Sequence, residues 1–268
     1  MPIITISRGS YSGGKEVAER LAQKLGYECI SREILLKASE EFNIPEIKLI
    51  RAIHDAPSIL ERFTYGKERY VAYIRAALLK QVQQDNAVYH GLAGHFLLQG
   101  IPHLLKVRIL ADLEDRVAEE MRRVAIPAAK ARDLIKKDDE ERRKWSLQLY
   151  GADPWDPMLY DLVIHLNSIT VADAVSLISQ AVKLPGFQTT PRSQALLDEL
   201  ALGAQIQAVL VEQFPDVKVS AKDGEVVVNI KGVIDREELA AQVQRIAKRT
   251  AGVQVEVKVI VGPEIAID

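Results

Sequence analysis

One cysteine, Cys29, stands among 268 residues, so the chain can form no intrachain disulfide. That argues for a reducing compartment, where thiols are kept for purposes other than stapling. No apolar run approaches the ~20 residues a helix needs to cross a bilayer. The opening residues also lack the basic-then-apolar order of a leader and pass straight into strand-like sequence. Nor is there an excess of charge of one sign: 35 Lys and Arg against 37 Asp and Glu leave a formal net charge of −2. This removes any global electrostatic reason to bind nucleic acid or an anionic membrane, and confines phosphate binding to a local site. The expectation is a cytoplasmic protein with no nucleic-acid partner and no transmembrane segment.

What is present is the composition of a globular chain, 48% hydrophobic and 27% charged, long enough for one large domain or two ordinary ones. Its most informative stretch runs from Ile3 to Gly26. Ile3, Ile4 and Ile6 form a short apolar strand; Val17, Leu21 and Leu25, with Ala18 and Ala22 beside them, recur at helical spacing up to a stop at Gly26. Between them lies Gly9-x4-Gly14-Lys15. Phosphate binding needs that order: glycines let backbone N–H groups approach the oxygens, a helix N-terminus faces the anion, and a lysine adds a mobile charge. The bland alternative is a plain strand-to-helix turn with Lys15 solvated. A standard loop continues with Ser or Thr toward Mg²⁺, and this chain has Glu16.

Downstream, Tyr27 to Ile30 reads as a strand leading into a helix near Ser31, where Arg32 places a cation close to the loop. A charged helical stretch to about Gln84 carries Arg62, Lys67, Arg69 and Arg75, most of them expected to be solvated. Asn86 to Tyr89 is the next strand, running into His90-Gly91-Leu92-Ala93-Gly94-His95; the two histidines lack metal-ligand spacing and read as structural or solvent-facing. Leu104 to Leu110 is a further strand, followed by a helix from Asp112 to Arg123 and a second, highly charged one from Ala129 to Leu149. In the latter, Asp138 with Arg142 and Asp139 with Arg143 stand four apart and predict helical ion pairs. Two arginine-bearing helices after one strand give the layout of a lid closing on phosphates, favoured over a merely solvated face. Tyr160 to Leu166 is the last strand, and Thr170 caps a helix through Lys183. The alternation predicts a parallel, three-layer α/β domain.

Leu184 to Ser193, with two prolines, is the linker, giving domains at 1–183 and 194–268. The second reads as αββαβ: a helix, two strands about an Asp223-Gly224 hairpin turn, a helix, and a strand from Val253 to Val261. No set of residues in it is able to do chemistry.

The first domain resembles the cytidylate kinase-like family, a branch of the P-loop nucleoside monophosphate kinases, over about Ile3 to Val182. The carriers are ISRxxxSGGKE followed by VAERLAQKLG, the strand ending in Gly91, KKDDEERRKW, and YGADPWDPMLYDLVIHLNS. The resemblance implies transfer of the ATP γ-phosphoryl to a nucleoside monophosphate, classically CMP or dCMP, with Mg²⁺. It implies that Arg8, Gly9, Ser10, Tyr11, Ser12, Gly13, Gly14 and Lys15 cradle the ATP phosphates, with Glu16 toward the metal. Arg116 and Lys137 are implied on the ATP side, Lys15, Arg142 and Arg143 in catalysis, and Arg32, Arg75 and Gly91 at the acceptor. Where the family has Gly-Arg after the third strand this chain has Gly91-Leu92, which removes a charged contact near the acceptor. A kinase for another small acceptor and a non-catalytic nucleotide sensor are the rival readings. The C-terminal segment resembles a BON domain through DGEVVVNIKGVID and AGVQVEVKV, which implies a regulatory, ligand-binding or oligomerising module.

Overall fold

A computed structural model describes residues 2–9, 12–31, 67–91, 93–231, 236–251 and 256–262, which fall into two compact units. Ser10, Tyr11, Arg32, Arg62 and Leu92 lie outside the described residues. The first unit opens with β1 (Ile3–Arg8), α1 (Gly14–Leu25) and β2 (Glu28–Ile30). The next described element, α2 (Lys67–Val82), belongs to the second unit and packs on a helix of the C-terminal segment. The chain then returns to the first unit with β3 (Ala87–His90), α3 (Gly94–Leu97), β4 (Leu104–Ala111), α4 (Leu113–Val124), α5 (Ala128–Tyr150), β5 (Leu162–Leu166) and α6 (Val171–Ala181).

The five strands form one parallel sheet in the order β2-β3-β1-β4-β5, so β1 is central and flanked by β3 and β4. Strand alternation sorts the two faces. Ile4, Ile6, Leu105, Val107 and Ile109 point to one side, where Val17, Ala18 and Leu21 of α1 and Ala174 and Ile178 of α6 cover them. Each such branched side chain, fully buried, stabilises the fold by about 1.5–3 kcal/mol. Thr5, Ser7, Tyr89 and Arg108 share the other side, and Gly94 of α3 approaches Thr5 and Tyr89 so closely that no Cβ would fit there. Helices on both faces give the three-layer P-loop kinase fold. Two boundaries agree with the sequence: Gly26 ends α1 in the left-handed region, and Thr170 with Asp173 makes a reciprocal capping box on α6.

The second unit continues with α7 (Pro191–Leu210), β6 (Lys218–Lys222), β7 (Glu225–Lys231), α8 (Arg236–Ala251) and β8 (Glu256–Gly262). β6 and β7 are antiparallel about Asp223 and Gly224, both at positive φ as a two-residue hairpin turn requires, and β8 adds parallel to β7. This is the predicted αββαβ order, with α2 as an additional element drawn from the first half of the chain.

Candidate functional site

The loop after β1 emerges at the carboxyl ends of the parallel strands, where open α/β sheets bind ligands. Gly13 takes φ 73° as N-cap of α1 and supplies no side-chain cap. The first intrahelical bond runs from the Val17 N–H to the Gly13 carbonyl at 3.1 Å, leaving the N–H groups of Gly14, Lys15 and Glu16 without intrahelical acceptors. A Cβ on Gly14 would lie 2.7 Å from the Arg8 Cβ, and one on Gly13 2.9 Å from Leu166 Cδ1. The loop is therefore built around bare glycine backbone. Ser12 is buried and its hydroxyl lies 3.1 Å from the Gly9 carbonyl and 3.4 Å from that of Ile109, which closes the turn and ties it to β4.

Charged side chains surround this loop unequally. Lys15 is exposed and paired with Glu19 at 3.6 Å, so its ammonium can turn toward a ligand at small cost. Glu16 is held by Arg20 at 2.6 Å, one turn on. Arg116 of α4 lays its guanidinium against Gly9, 3.3 Å from where a Cβ would stand, and is fixed by Asp139 of α5 at 2.6 Å. Arg142 of α5 reaches the Arg8 carbonyl at 3.4 Å. Arg116 and Arg142 thus converge on the loop from two helices, which pack together through Val117, Ala131 and Ile135.

Arg143 and Lys137 do not join them. Arg143 donates to Asp153 at 2.9 and 2.7 Å and stacks over Trp155 at 4.5 Å, and Lys137 faces Glu141 on the exposed surface. The Asp139–Arg143 and Asp138–Arg142 helical pairs predicted from spacing give way to these longer-range partners. Arg143 has a charge-assisted acceptor off its own helix in Asp153, worth more than an exposed i,i+4 contact, and Arg142 reaches the Arg8 carbonyl. Asp153 is held below the usual carboxylate range chiefly by its hydrogen bonds from Arg143, then by the Trp155 N–H.

Of the residues expected at the acceptor, Gly91 follows β3, and a Cβ there would meet the Tyr89 hydroxyl at 2.6 Å. Arg75 is partly buried on α2, in the other unit. His90 and His95 are both buried, which corrects the solvent-facing alternative. His95 sits between Phe96 and Tyr160, its Nε2 3.5 Å from the Tyr160 hydroxyl, and burial above all pushes its pKa down to about 4. Arg108 donates to that hydroxyl at 3.1 Å and to the Pro154 carbonyl, pinning the GADPWDP turn to the sheet. Sequence reasoning missed Arg108 and Asp153 because one sits inside an apolar strand and the other inside a turn motif. Asp112, which bonds His165 at 3.2 Å and the Asn167 amide at 2.6 Å, was read only as a helix start.

Among the described residues no group of three or more His, Cys, Asp or Glu side chains is placed to hold a metal ion, and no helix is long and apolar enough to cross a membrane. The glycine loop nevertheless fits a magnesium–nucleotide complex, because Mg²⁺ in such sites is held largely by substrate phosphates and water, with one or two protein ligands.

A glycine loop joining a central parallel strand to an uncapped helix, beneath converging arginines, has the form of a P-loop. A model of the cytidylate kinase-like family matches residues 3–168, and the chain belongs to that family. It is 24% identical over 192 residues to a cytidylate kinase of Methanopyrus kandleri, covering 67% of this chain and 92% of that protein. A cytidylate kinase of Archaeoglobus fulgidus is 25% identical over 185 residues, covering 68% and 94%. The fold is similar to that of an uncharacterized protein from Eubacterium ventriosum, with a TM-score of 0.51 at 19% identity, covering 68% of this chain and 98% of that one. Membership of that family supports nucleotide kinase activity.

Proposed function

We propose that the first unit transfers the γ-phosphoryl of ATP to a nucleoside monophosphate, with CMP or dCMP as the preferred acceptor. The single observation that carries this is the bare-backbone loop under Arg116 and Arg142, inside a family that includes cytidylate kinases. Lys15, released from Glu19, bridges the β- and γ-phosphates, while the N–H groups at the start of α1 hold the oxygens. Arg116 orients the ATP side and Arg142 neutralises charge developing on the transferring group; Arg143 supplies a second charge only after leaving Asp153. Glu16, once freed from Arg20, would be the protein carboxylate toward Mg²⁺, which would supply charge neutralisation at the phosphates. Positioning and charge supply most of what phosphoryl transfer asks of a protein.

A kinase acting on another small acceptor is the second reading, favoured by Leu92 at the position where the family carries arginine. The C-terminal unit is proposed as a BON-like regulatory or interaction module. The test is ADP release from ATP and Mg²⁺ against CMP, dCMP, UMP, AMP and GMP, with Lys15→Ala as control. Lysine-dependent turnover on a pyrimidine supports the first reading. ATP binding without turnover on any of them supports another acceptor or a sensor.

A further inference from the structure

His90 ends β3 at the edge of the sheet where β1 delivers the loop, level with Ile6 in the ladder. The residue is 6% exposed, and its buried Nδ1 has no hydrogen-bond partner among the described residues. An unpartnered buried nitrogen is costly, and packing alone would be better served there by an apolar side chain. The charges that act on the ring are those of Arg8 in β1 and of Lys15 and Glu19 in α1. β2, on the other flank, carries Glu28 and Cys29 at the amino end of the ladder, level with Ala87 and Val88. Burial first, then Arg8 and Lys15, lower the His90 pKa to about 4, with Glu19 opposing them.

Arg8 and Lys15 flank the loop whose phosphate binding is proposed above, and phosphate oxyanions would offset both charges. We propose that His90 is a further cationic member of the phosphate site, neutral before an anion arrives and protonated once phosphates lie against Lys15. The proton comes from solvent, and no bond in the substrate changes. A histidine in this position avoids a third fixed cation at a sheet end that already carries two, yet supplies one when the field reverses. This inference rests on the loop reading and deepens it. ATP affinity then rises as pH falls, by at most about tenfold per pH unit for the one proton taken up.

The test is titration calorimetry of the full chain with ATP at pH 6.5, in buffers of different ionisation enthalpy, for wild type, His90→Gln and Lys15→Ala. The phosphates of ATP titrate alike in each protein, so wild type is expected to take up more protons per ATP than His90→Gln. Equal uptake with Lys15-dependent binding overturns this proposal alone. Binding that is absent, or unchanged in Lys15→Ala, removes the loop reading and this proposal with it. If His90→Gln does not fold, histidine-labelled NMR of wild type decides: a ring that gains its proton at saturating ATP is the expected result, and five histidines whose protonation ATP leaves unchanged overturn the proposal.

Discussion

Lys15 and Glu19 form an exposed i,i+4 pair, so the lysine contributes only a few tenths of a kcal/mol to folding. Lys15→Ala is therefore expected to lose phosphoryl transfer while melting within about a degree of wild type, read by ADP release and thermal denaturation. Gly14 is the opposite case. A methyl group there meets the near end of the Arg8 side chain, which cannot swing away without moving β1. Gly14→Ala is expected to cost about 1–3 kcal/mol and to remove ATP binding, checked by urea unfolding and calorimetry. His95 makes a prediction about pH. Its folded pKa of about 4 lies below the ordinary 6.5, so the unfolded chain binds the proton more tightly. Its stabilising contribution is complete above about pH 6.5 and is lost as pH falls toward 4, by at most about 3 kcal/mol. Between pH 7.5 and 5, His95→Gln should lose less stability than wild type in urea titrations; an identical loss would discount the assignment.

At the scale of the element, α5 carries two adjacent arginines with different work. Arg142 reaches the Arg8 carbonyl at the end of β1, whereas Arg143 is committed to Asp153 and Trp155. Arg142→Ala is expected to lower kcat by roughly 10²–10³ with the fold unchanged. Arg143→Ala should instead loosen the GADPWDP turn, seen as faster hydrogen exchange at the Trp155 amide, whose N–H bonds the same carboxylate. Equal effects of the two substitutions on kcat, with no change in exchange, would show that both serve the lid. The helical pattern located α5, but side-chain partners across helices follow from how α4 and α5 pack, and spacing along one helix carries no record of that.

Across the whole molecule, one compact unit runs to Thr190 and the other resumes at Pro191. α2 is grouped with the C-terminal unit, where the Tyr73 hydroxyl donates to Glu212 at 2.5 Å and the Gln194 side chain bonds the Gln83 carbonyl at 3.0 Å. Removing residues 194–268 would strip α2 of α7, so the shortened chain is expected to aggregate or melt without cooperativity in size-exclusion and thermal assays. A soluble monomer with an unchanged melting temperature would show that α2 needs no partner from α7. The sequence by itself determined the strand–loop–helix at the N-terminus, the parallel alternation, the hairpin at Asp223-Gly224 and the cap at Thr170. Each of these is set by residues within a few positions of one another, through periodicity, glycine geometry or a short side-chain bond. Only the tertiary structure decided that Arg116 and Arg142 meet at the loop, that Arg143 is withdrawn to Asp153, that His90 is buried at the end of β3, and that α2 joins α7. Those outcomes depend on which elements pack together, and the partners lie from 10 to more than 130 residues apart in the chain.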